Sequence, residues 1–493
     1  MEQLSKQRWF SSPETPVIPL DTAITVYPTY TFANISRDAT TQYTTRLRMA
    51  VAAPGNANSR KNKIIMSLCR QYLREQSPTT QTRMQGFLSR NVSTRVVLDL
   101  LSGSADNAPA SVLETQFLET DSRGMLETAL RTPEIPQQAR ITLDTPPSFP
   151  SIVSTVCRTH YIKPNGFGLI SDIDDTIKHT GVTGDKKSMF KNVFVTPWQE
   201  WVVAGLPQWY NSLALDHAVD FFYVSNSPVQ LYDTLQQYID RTLPRGPVFL
   251  KQYTGNMFAS IVKSAGANRK THTIERILDD FPGKRFLLIG DAGERDFETY
   301  IDLALRYPDQ IIAIYIRCCK DSISDGSRND DAVLDELNEI VATEYTRPFE
   351  PAQTTVQPPL SRSAPVIPPK PNIALSTAQT DKIRESRLTA RARVPPPPPP
   401  PLPRRPTEVS ETSSIASSTA RSADSEVYMM PSSQDDYNTY DIYYDKNAES
   451  WRQRLRDGLK QLNYLPNFNI SIRFFIDPKP CILESDQLVS GMK

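Results

Sequence analysis

The sequence predicts a multidomain chain centred on an α/β domain with a parallel, helix-covered sheet. Three observations carry that expectation. From about Val156, short apolar runs alternate with helix-length segments, the pattern of strand–helix–strand units. The residues before it show apolar and polar positions alternating with a period of two between turn residues, as antiparallel sheets do. Past Pro351 both periodicities vanish, and sixteen of the chain's 41 prolines fall within residues 351–430.

Taken in order, residues 1–150 are expected to form a mainly-β, sandwich-like domain. Its strands include "AITVYPTYTF" (Ala23–Phe32), "STRVVLDLL" (Ser93–Leu101) and "QARITLDT" (Gln138–Thr145), with one helix at about Lys61–Leu73. Residues 151–350 hold the parallel sheet. Strands are expected at Phe167–Ile170, Val219–Val224, Pro247–Leu250, Phe286–Ile289 and Ile311–Ile316. Helices are expected at Pro228–Arg241, Asn268–Phe281 and Asp296–Tyr307. Ligands of such sheets bind beyond the carboxyl ends of the strands. Residues 351–430 cannot bury enough apolar surface to offset their ordering entropy and are expected to be a disordered Pro-rich linker. Residues 431–493 regain aromatics. There Trp451, Leu455, Leu459 and Leu462 line one face of a short helix, followed by the strand-like "FNISIRFFI" (Phe468–Ile476). Docking on the central domain and an interfacial, lipid-facing role are both open to that helix.

Composition narrows the function classes. With 55 basic and 55 acidic residues, no global field draws the chain to nucleic acid or an anionic membrane, so an anionic ligand must be held locally. No apolar stretch is long enough to span a bilayer, and Met1–Phe10 lacks the apolar core of a secretory signal. Five scattered cysteines and four histidines without a Cys-x-x-Cys pair argue against structural zinc. A reduced, cytoplasmic compartment is expected.

The chemistry is concentrated at "FGLISDIDDTIKHT" (Phe167–Thr180), where Asp172, Asp174 and Asp175 crowd the end of an apolar strand ahead of Thr176. Asp at a strand end is commonplace, because it suits turns and helix starts. Its companions change the reading. Ser225 follows the strand in "FFYVSNSP". Lys270 opens a later helix, with Lys251 in "FLKQY" as its rival. "FLLIGDAGERD" then sets Gly290, Asp291, Glu294 and Asp296 after another strand. As isolated features, Ser225 reads as a helix cap and Lys270 as a solvated cation.

This ordered set resembles the haloacid-dehalogenase-like phosphatases over roughly residues 165–317. Those enzymes carry Asp-x-Asp-x-Thr, a strand-end Ser or Thr, a Lys, and Gly-Asp followed by another acid. The resemblance implies Asp172 as nucleophile, splitting a slow hydrolysis through an aspartyl-phosphate. It implies Mg²⁺ to relieve the repulsion between carboxylate and phosphate, held by Asp172, Asp174 and Asp291, with Glu294 and Asp296 as direct ligands or holders of its waters. Asp174 would serve as general acid and then base, with Thr176 closing the motif. Ser225 and Lys270 would neutralise phosphoryl oxygens. Asp175 is expected to face away from the metal. The intervals Asp172–Ser225 and Ser225–Lys270 leave room for a flap and one helix around Thr196–Leu215 but for little or no cap. An open site suits substrates too large to enclose.

A narrower resemblance rests on "GLISDIDDTIKHTGV", "FFYVSNSP", "FPGKRFLLIGDAGERDFETY", "SRKNKIIMSLCRQYL" and the Pro-rich tail. Together these are similar to the fungal actin-patch-associated, Mg²⁺-dependent phosphatidate phosphatases. That implies hydrolysis of phosphatidate to diacylglycerol at membrane surfaces, with peripheral recruitment to cortical actin patches by SH3 proteins. The tail offers matching ligands: Arg362, Pro365 and Pro368 in one register, Pro365, Pro368 and Lys370 in another, and Pro400, Pro403 and Arg405 in a third. A stiff spacer is the plainer reading of the same prolines. The alternative function is an SH3-binding cortical adaptor whose phosphatase domain acts on another phosphomonoester, such as a phosphoprotein.

Overall fold

The computed structural model describes residues 18–35, 41–72, 78–103, 110–181, 184–253, 267–326, 330–345, 445–464 and 469–492. The linker expected over 351–430, with all its proline registers, lies outside the described residues.

The first part pairs β1 (Ala23–Ile35) with β2 (Thr41–Ala53) antiparallel, then adds the helices α1 (Arg60–Tyr72) and α2 (Pro78–Leu88). Five short strands and one two-residue strand follow: β3 (Arg90–Asn91), β4 (Arg95–Leu101), β5 (Val112–Glu119), β6 (Met125–Thr132), β7 (Gln138–Leu143) and β8 (Ser154–Arg158). Strand β2 also pairs β3 and β6, and a second antiparallel sheet runs β5-β4-β7-β8. Leu47, Met49 and Val51 of β2 share a core with Leu98 and Leu100 of β4 and Ile141 of β7, so the two sheets meet through their apolar faces. The helix α2 has no counterpart in the sequence reading. Its stretch "PTTQTRMQGFL" carries three threonines and a glycine, and it buries Thr80 and Arg83 beside Met84 and Phe87. No clean apolar stripe announces it.

The second part begins with β9 (Asn165–Ser171), then α3 (Lys186–Phe194), α4 (Leu206–His217), β10 (Asp220–Pro228), α5 (Tyr232–Thr242) and β11 (Val248–Lys251). It continues with α6 (Ala267–Asp280), β12 (Gly283–Asp291), α7 (Asp296–Arg306), β13 (Ile311–Arg317) and α8 (Asp330–Glu344). The last described stretches give α9 (Lys446–Asn463), β14 (Ser471–Phe475) and α10 (Lys479–Gly491). Six of these strands form one sheet in the order β11-β10-β9-β12-β13-β14, every neighbouring pair parallel. All seven residues of β13 are buried, which explains its unbroken apolar run. From β9 the chain steps outward through β10 and β11, then returns to build β12, β13 and β14 on the other flank. The crevice at that reversal lies beyond the carboxyl ends of β9 and β12.

Between β9 and β10 the sequence reading allowed a flap and one helix. The structure has α3, a 3₁₀ turn at Trp198–Trp201, and α4. Asp185 caps α3 by accepting from the amides of Lys187 and Ser188. Phe194 of α3 meets Phe87 of α2 edge to face at 5.4 Å, tying the extra helix to the first part.

Trp451, Leu455, Leu459 and Leu462 of α9 are all buried, so this stripe faces the protein and not lipid. Gly458 permits the approach: a Cβ there would stand 3.0 Å from the Phe297 ring. Among the described residues, no helix is long and apolar enough to cross a membrane.

The two parts are latched at Asp280, the last residue of α6. Tyr30 of β1 donates to its Oδ2 at 2.6 Å, and Arg46 of β2 forks onto both carboxylate oxygens. Removing one partner of such a buried pair strands the others without partners. Asp280→Ala should cost about 3 kcal/mol of unfolding free energy in urea titration, and Tyr30→Phe about 1 kcal/mol.

Candidate active site

The crevice at the carboxyl ends is built by backbone placement first. Strand β9 is buried from Phe167 to Ser171, and the Asp172 amide donates to the Ile289 carbonyl of β12 at 2.8 Å. The chain then turns sharply. Asp175 takes a left-handed φ of 57°, and its Oδ1 accepts the amides of Thr180 and Gly181, both at 2.8 Å. Asp175 thus braces the loop. Arg317 at the end of β13 donates to the Asp175 carbonyl and closes the turn from below.

Asp172 is fully enclosed. Thr176 Oγ1 donates to its Oδ2 at 3.0 Å, and Lys270 Nζ to its Oδ1 at 2.8 Å. The same ammonium donates to Asp296 and stands 3.9 Å from Glu294 Oε2. Asp172, Asp291 and Asp296 offer oxygens that all lie within 4.8 Å of one another. Gly290 makes this possible, because a Cβ on it would stand 2.3 Å from Asp296 Oδ2.

Burial and mutual repulsion govern these groups. Burial, with Glu294 and Asp174 nearby, outweighs Lys270 and pushes Asp172 up to about 7. Asp296 is pushed up to about 6 by burial and Asp172, against the pull of Lys270. Asp291 is driven well above the carboxylate range by burial and by Asp296, Glu294 and Asp172, and burial also raises Glu294. Burial would discharge Lys270, but Asp172 and Asp296 hold it cationic. Asp291 Oδ1 is buried with no hydrogen-bond partner, facing a cluster of like charge. An orphaned carboxylate oxygen beside two more is the donor set a hard divalent cation takes.

Asp174 occupies a different environment. Its Oδ1 accepts Lys178 Nζ at 2.7 Å and Thr180 Oγ1 at 2.8 Å, and its Oδ2 accepts Ser225 Oγ at 3.0 Å and Ser227 Oγ. Burial raises its pKa, but Lys178 and the hydroxyls outweigh it and hold the carboxyl at about 2. Its side chain therefore stands with these donors and not among the three carboxylates, and Ser225 serves it. Glu294 accepts from Asn226 Nδ2 at 2.9 Å, at the rim of the cluster. Lys270 is the cation at Asp172; the Lys251 ammonium lies over the Tyr253 ring at 4.8 Å. Lys178, Thr180, Asn226 and Ser227 were missed in the sequence. The spacing of Asp174 and Lys178, four apart, and the paired serines of "SNSP" were the available signals.

Beside the cluster lies a cavity of about 670 Å³, whose wall Lys270 reaches. Ser225, Asn226 and Lys270 line one side, and Arg123, Met125 and Glu127 of the N-terminal domain line the other. A buried carboxylate oxygen set by a hydroxyl and an ammonium can attack an electrophile entering there, while the cluster holds a cation against it.

Known proteins match this sequence. The family model described as "Phosphatidate phosphatase APP1, catalytic domain" matches residues 167–318, the span from β9 to the end of β13. Phosphatidate phosphatase APP1 of Saccharomyces cerevisiae is 39% identical over 515 residues, covering 94% of this chain and 84% of its own. The chain belongs to that family. An uncharacterised protein of Schizosaccharomyces pombe is 29% identical over 198 residues, 40% of this chain and 31% of its own. The family match begins two residues after the start of β9 and ends one past β13, so it takes in Asp172, Asp174, Ser225, Lys270, Asp291 and Asp296.

Lys178 and Asp174 form a buried pair whose halves depend on each other. Lys178→Met should destabilise the protein by about 3 kcal/mol in urea titration. Lys178→Met with Asp174→Asn should recover most of that loss, giving a coupling above about 1 kcal/mol in the double-mutant cycle.

Proposed function

We propose that this chain is a Mg²⁺-dependent, haloacid-dehalogenase-like phosphatidate phosphatase with little or no cap. The observation that carries the reading is the buried set Asp172, Asp291 and Asp296 around Lys270, at the carboxyl edge of a parallel sheet. The yeast relative's name supplies the substrate.

An Asp172 oxygen attacks the phosphorus, the bond from phosphorus to the glycerol oxygen breaks, and an aspartyl-phosphate forms. Asp174 is ionised in its resting bonds to Lys178 and the hydroxyls, so it must leave some of them and take up a proton from solvent; it then gives that proton to the leaving alkoxide, releasing diacylglycerol. It then takes a proton from the water that attacks the aspartyl-phosphate, and phosphate leaves with Asp172 restored. Because Lys178, Thr180, Ser225 and Ser227 all donate to Asp174, it must exchange at least one of them for the reacting oxygen. Thr176 and Lys270 fix the Asp172 carboxylate, so that it meets the phosphorus without reorganising. Lys270 also neutralises charge as the phosphoryl group arrives. Mg²⁺, held by Asp172, Asp291 and Asp296 with Glu294 at the rim, would offset the crowded carboxylates and polarise the phosphoryl oxygens.

Location is a separate property in this reading. SH3 proteins of the actin and endocytic machinery bind the registers at Arg362, Pro365, Pro368 and Lys370 and at Pro400, Pro403 and Arg405. The protein is cytoplasmic and peripheral at cortical actin patches.

Asp172→Asn and Asp174→Asn should each lower phosphate release from phosphatidate by about a thousandfold or more. Thermal melting should be unchanged in Asp172→Asn, whereas Asp174→Asn should also melt earlier because it strands the buried Lys178 ammonium. Wild-type turnover should vanish in chelator and return with Mg²⁺, and phosphopeptides should release little phosphate under the same conditions. Near-normal turnover of either variant, or of chelated enzyme, would sink this mechanism.

Changing Pro365, Pro368, Pro400 and Pro403 to Ala should release the protein from cortical patches in cells while leaving hydrolysis of micellar phosphatidate at the normal rate. Each register alone should give partial loss, because two linked sites bind with avidity. Fluorescence microscopy of tagged variants checks this, and unchanged cortical signal in the quadruple variant would refute it.

A further inference from the structure

Resting on the phosphatidate reading above, we propose that a second cavity beside the catalytic one receives an acyl chain of the substrate. The N-terminal β domain then becomes the part of the enzyme that senses the lipid tail.

The second cavity measures about 640 Å³, well within the roughly 300–1,000 Å³ typical of small-molecule sites. Its walls include Tyr27 of β1, Ile64 and Ile65 of α1, Val229, Tyr232 and Tyr253. Arg123, Met125 and Gln252 line both this cavity and the catalytic one, so the two are neighbours across a shared wall of three side chains. One side of that junction carries Ser225, Asn226 and Lys270; the other sets Tyr27, Ile64, Ile65, Val229, Tyr232 and Tyr253 beside about as many polar residues.

The ligand class follows from that polarity. A molecule spanning the junction needs an anionic phosphate at one end and a flexible apolar tail at the other, which is the layout of a glycerophospholipid. The wall is set rigidly for such a tail. Tyr27 is buried and meets the Tyr232 ring edge to face at 4.8 Å. Ile64 of α1 is 45% exposed and lines the cavity. The lining also has charge in Arg60, Lys61 and Asp233, but the Lys61 ammonium is taken by the Ser89 carbonyl at 2.7 Å. Each methylene that leaves water for such a wall favours binding about fourfold. Chain length should therefore be read as kcat/KM.

The test uses monomeric dibutyryl, dihexanoyl and dioctanoyl phosphatidate with the full-length protein. Wild type should show kcat/KM rising about tenfold or more from the shortest to the longest. Ile64→Glu places a carboxylate in the groove at an exposed position, and Ala50→Phe fills the groove from β2. In both, the rise should shrink to about threefold or less. The rise is a ratio within one protein, so partial loss of folded enzyme cancels from it. A flat profile in wild type overturns the inference and directs attention to a peptide or a second copy of the chain as occupant. An undiminished rise in both variants overturns it as well. If no phosphatidate is hydrolysed while phosphopeptides are, the substrate reading itself has failed, and the inference falls with it.

Discussion

One ammonium, Lys270, stands among four acids: it is bonded to Asp172 and Asp296, lies 3.9 Å from Glu294, and shares their cluster with Asp291. All four carboxyls are pushed upward by burial and by one another. Fully ionised, such a set carries far more negative charge than one cation can offset in a low-dielectric interior. It is stable with protons retained or with a second cation in place. The surrounding fold exists to impose this crowding, because nothing in the carboxylates themselves favours it.

The means are backbone means. Strands β9 and β12 lie side by side in register, with Ile289 opposite Ser171, so their next residues, Asp172 and Gly290, are neighbours by geometry. Gly290 leaves the space that Asp296 fills. Strand β13 continues the layer: Arg317 pairs with Asp291 on one side and with Phe475 of β14 on the other, and donates to the Asp175 carbonyl. A segment far along the chain therefore borders the strand that braces the nucleophile loop. The burial of Trp451 against Phe297 and Phe474 holds that border in place.

Much of this was legible because it is periodic or punctuated. The five apolar runs assigned to strands are β9 to β13, and each acid or hydroxyl singled out follows one of them. The apolar stripe from Trp451 to Leu462 likewise shows in α9. What sequence could not show was long-range pairing. Nothing local distinguishes Lys270 from Lys251; the distinction arises where α6 packs beside β10 and α7. Helix α2 escaped because its buried face includes a threonine and an arginine, whose guanidinium reaches the carbonyls of Val193 and Thr196. A polar residue buried by distant carbonyls looks exposed in sequence. The resemblance implies Ser225 as a phosphoryl contact; in this structure its hydroxyl donates to Asp174 at 3.0 Å, a pairing between β10 and the loop after β9 that no local pattern announces.

Asp172 and Asp174, two residues apart, show how finely a turn can divide electrostatic environments. The side chain of Asp172 enters the acid cluster, where burial and like charge favour the proton. That of Asp174 meets Lys178, itself seated over the Trp201 ring at 5.0 Å, and is kept an anion. The left-handed Asp175 between Asp174 and Thr176 reverses the chain so that Lys178 can return to Asp174 while Thr176 reaches Asp172. A residue that resisted that φ would place Lys178 elsewhere and merge the two environments. Asp175 is thus explained without touching substrate or metal: its side chain accepts the amides of Thr180 and Gly181, and its backbone makes the separation of its neighbours possible.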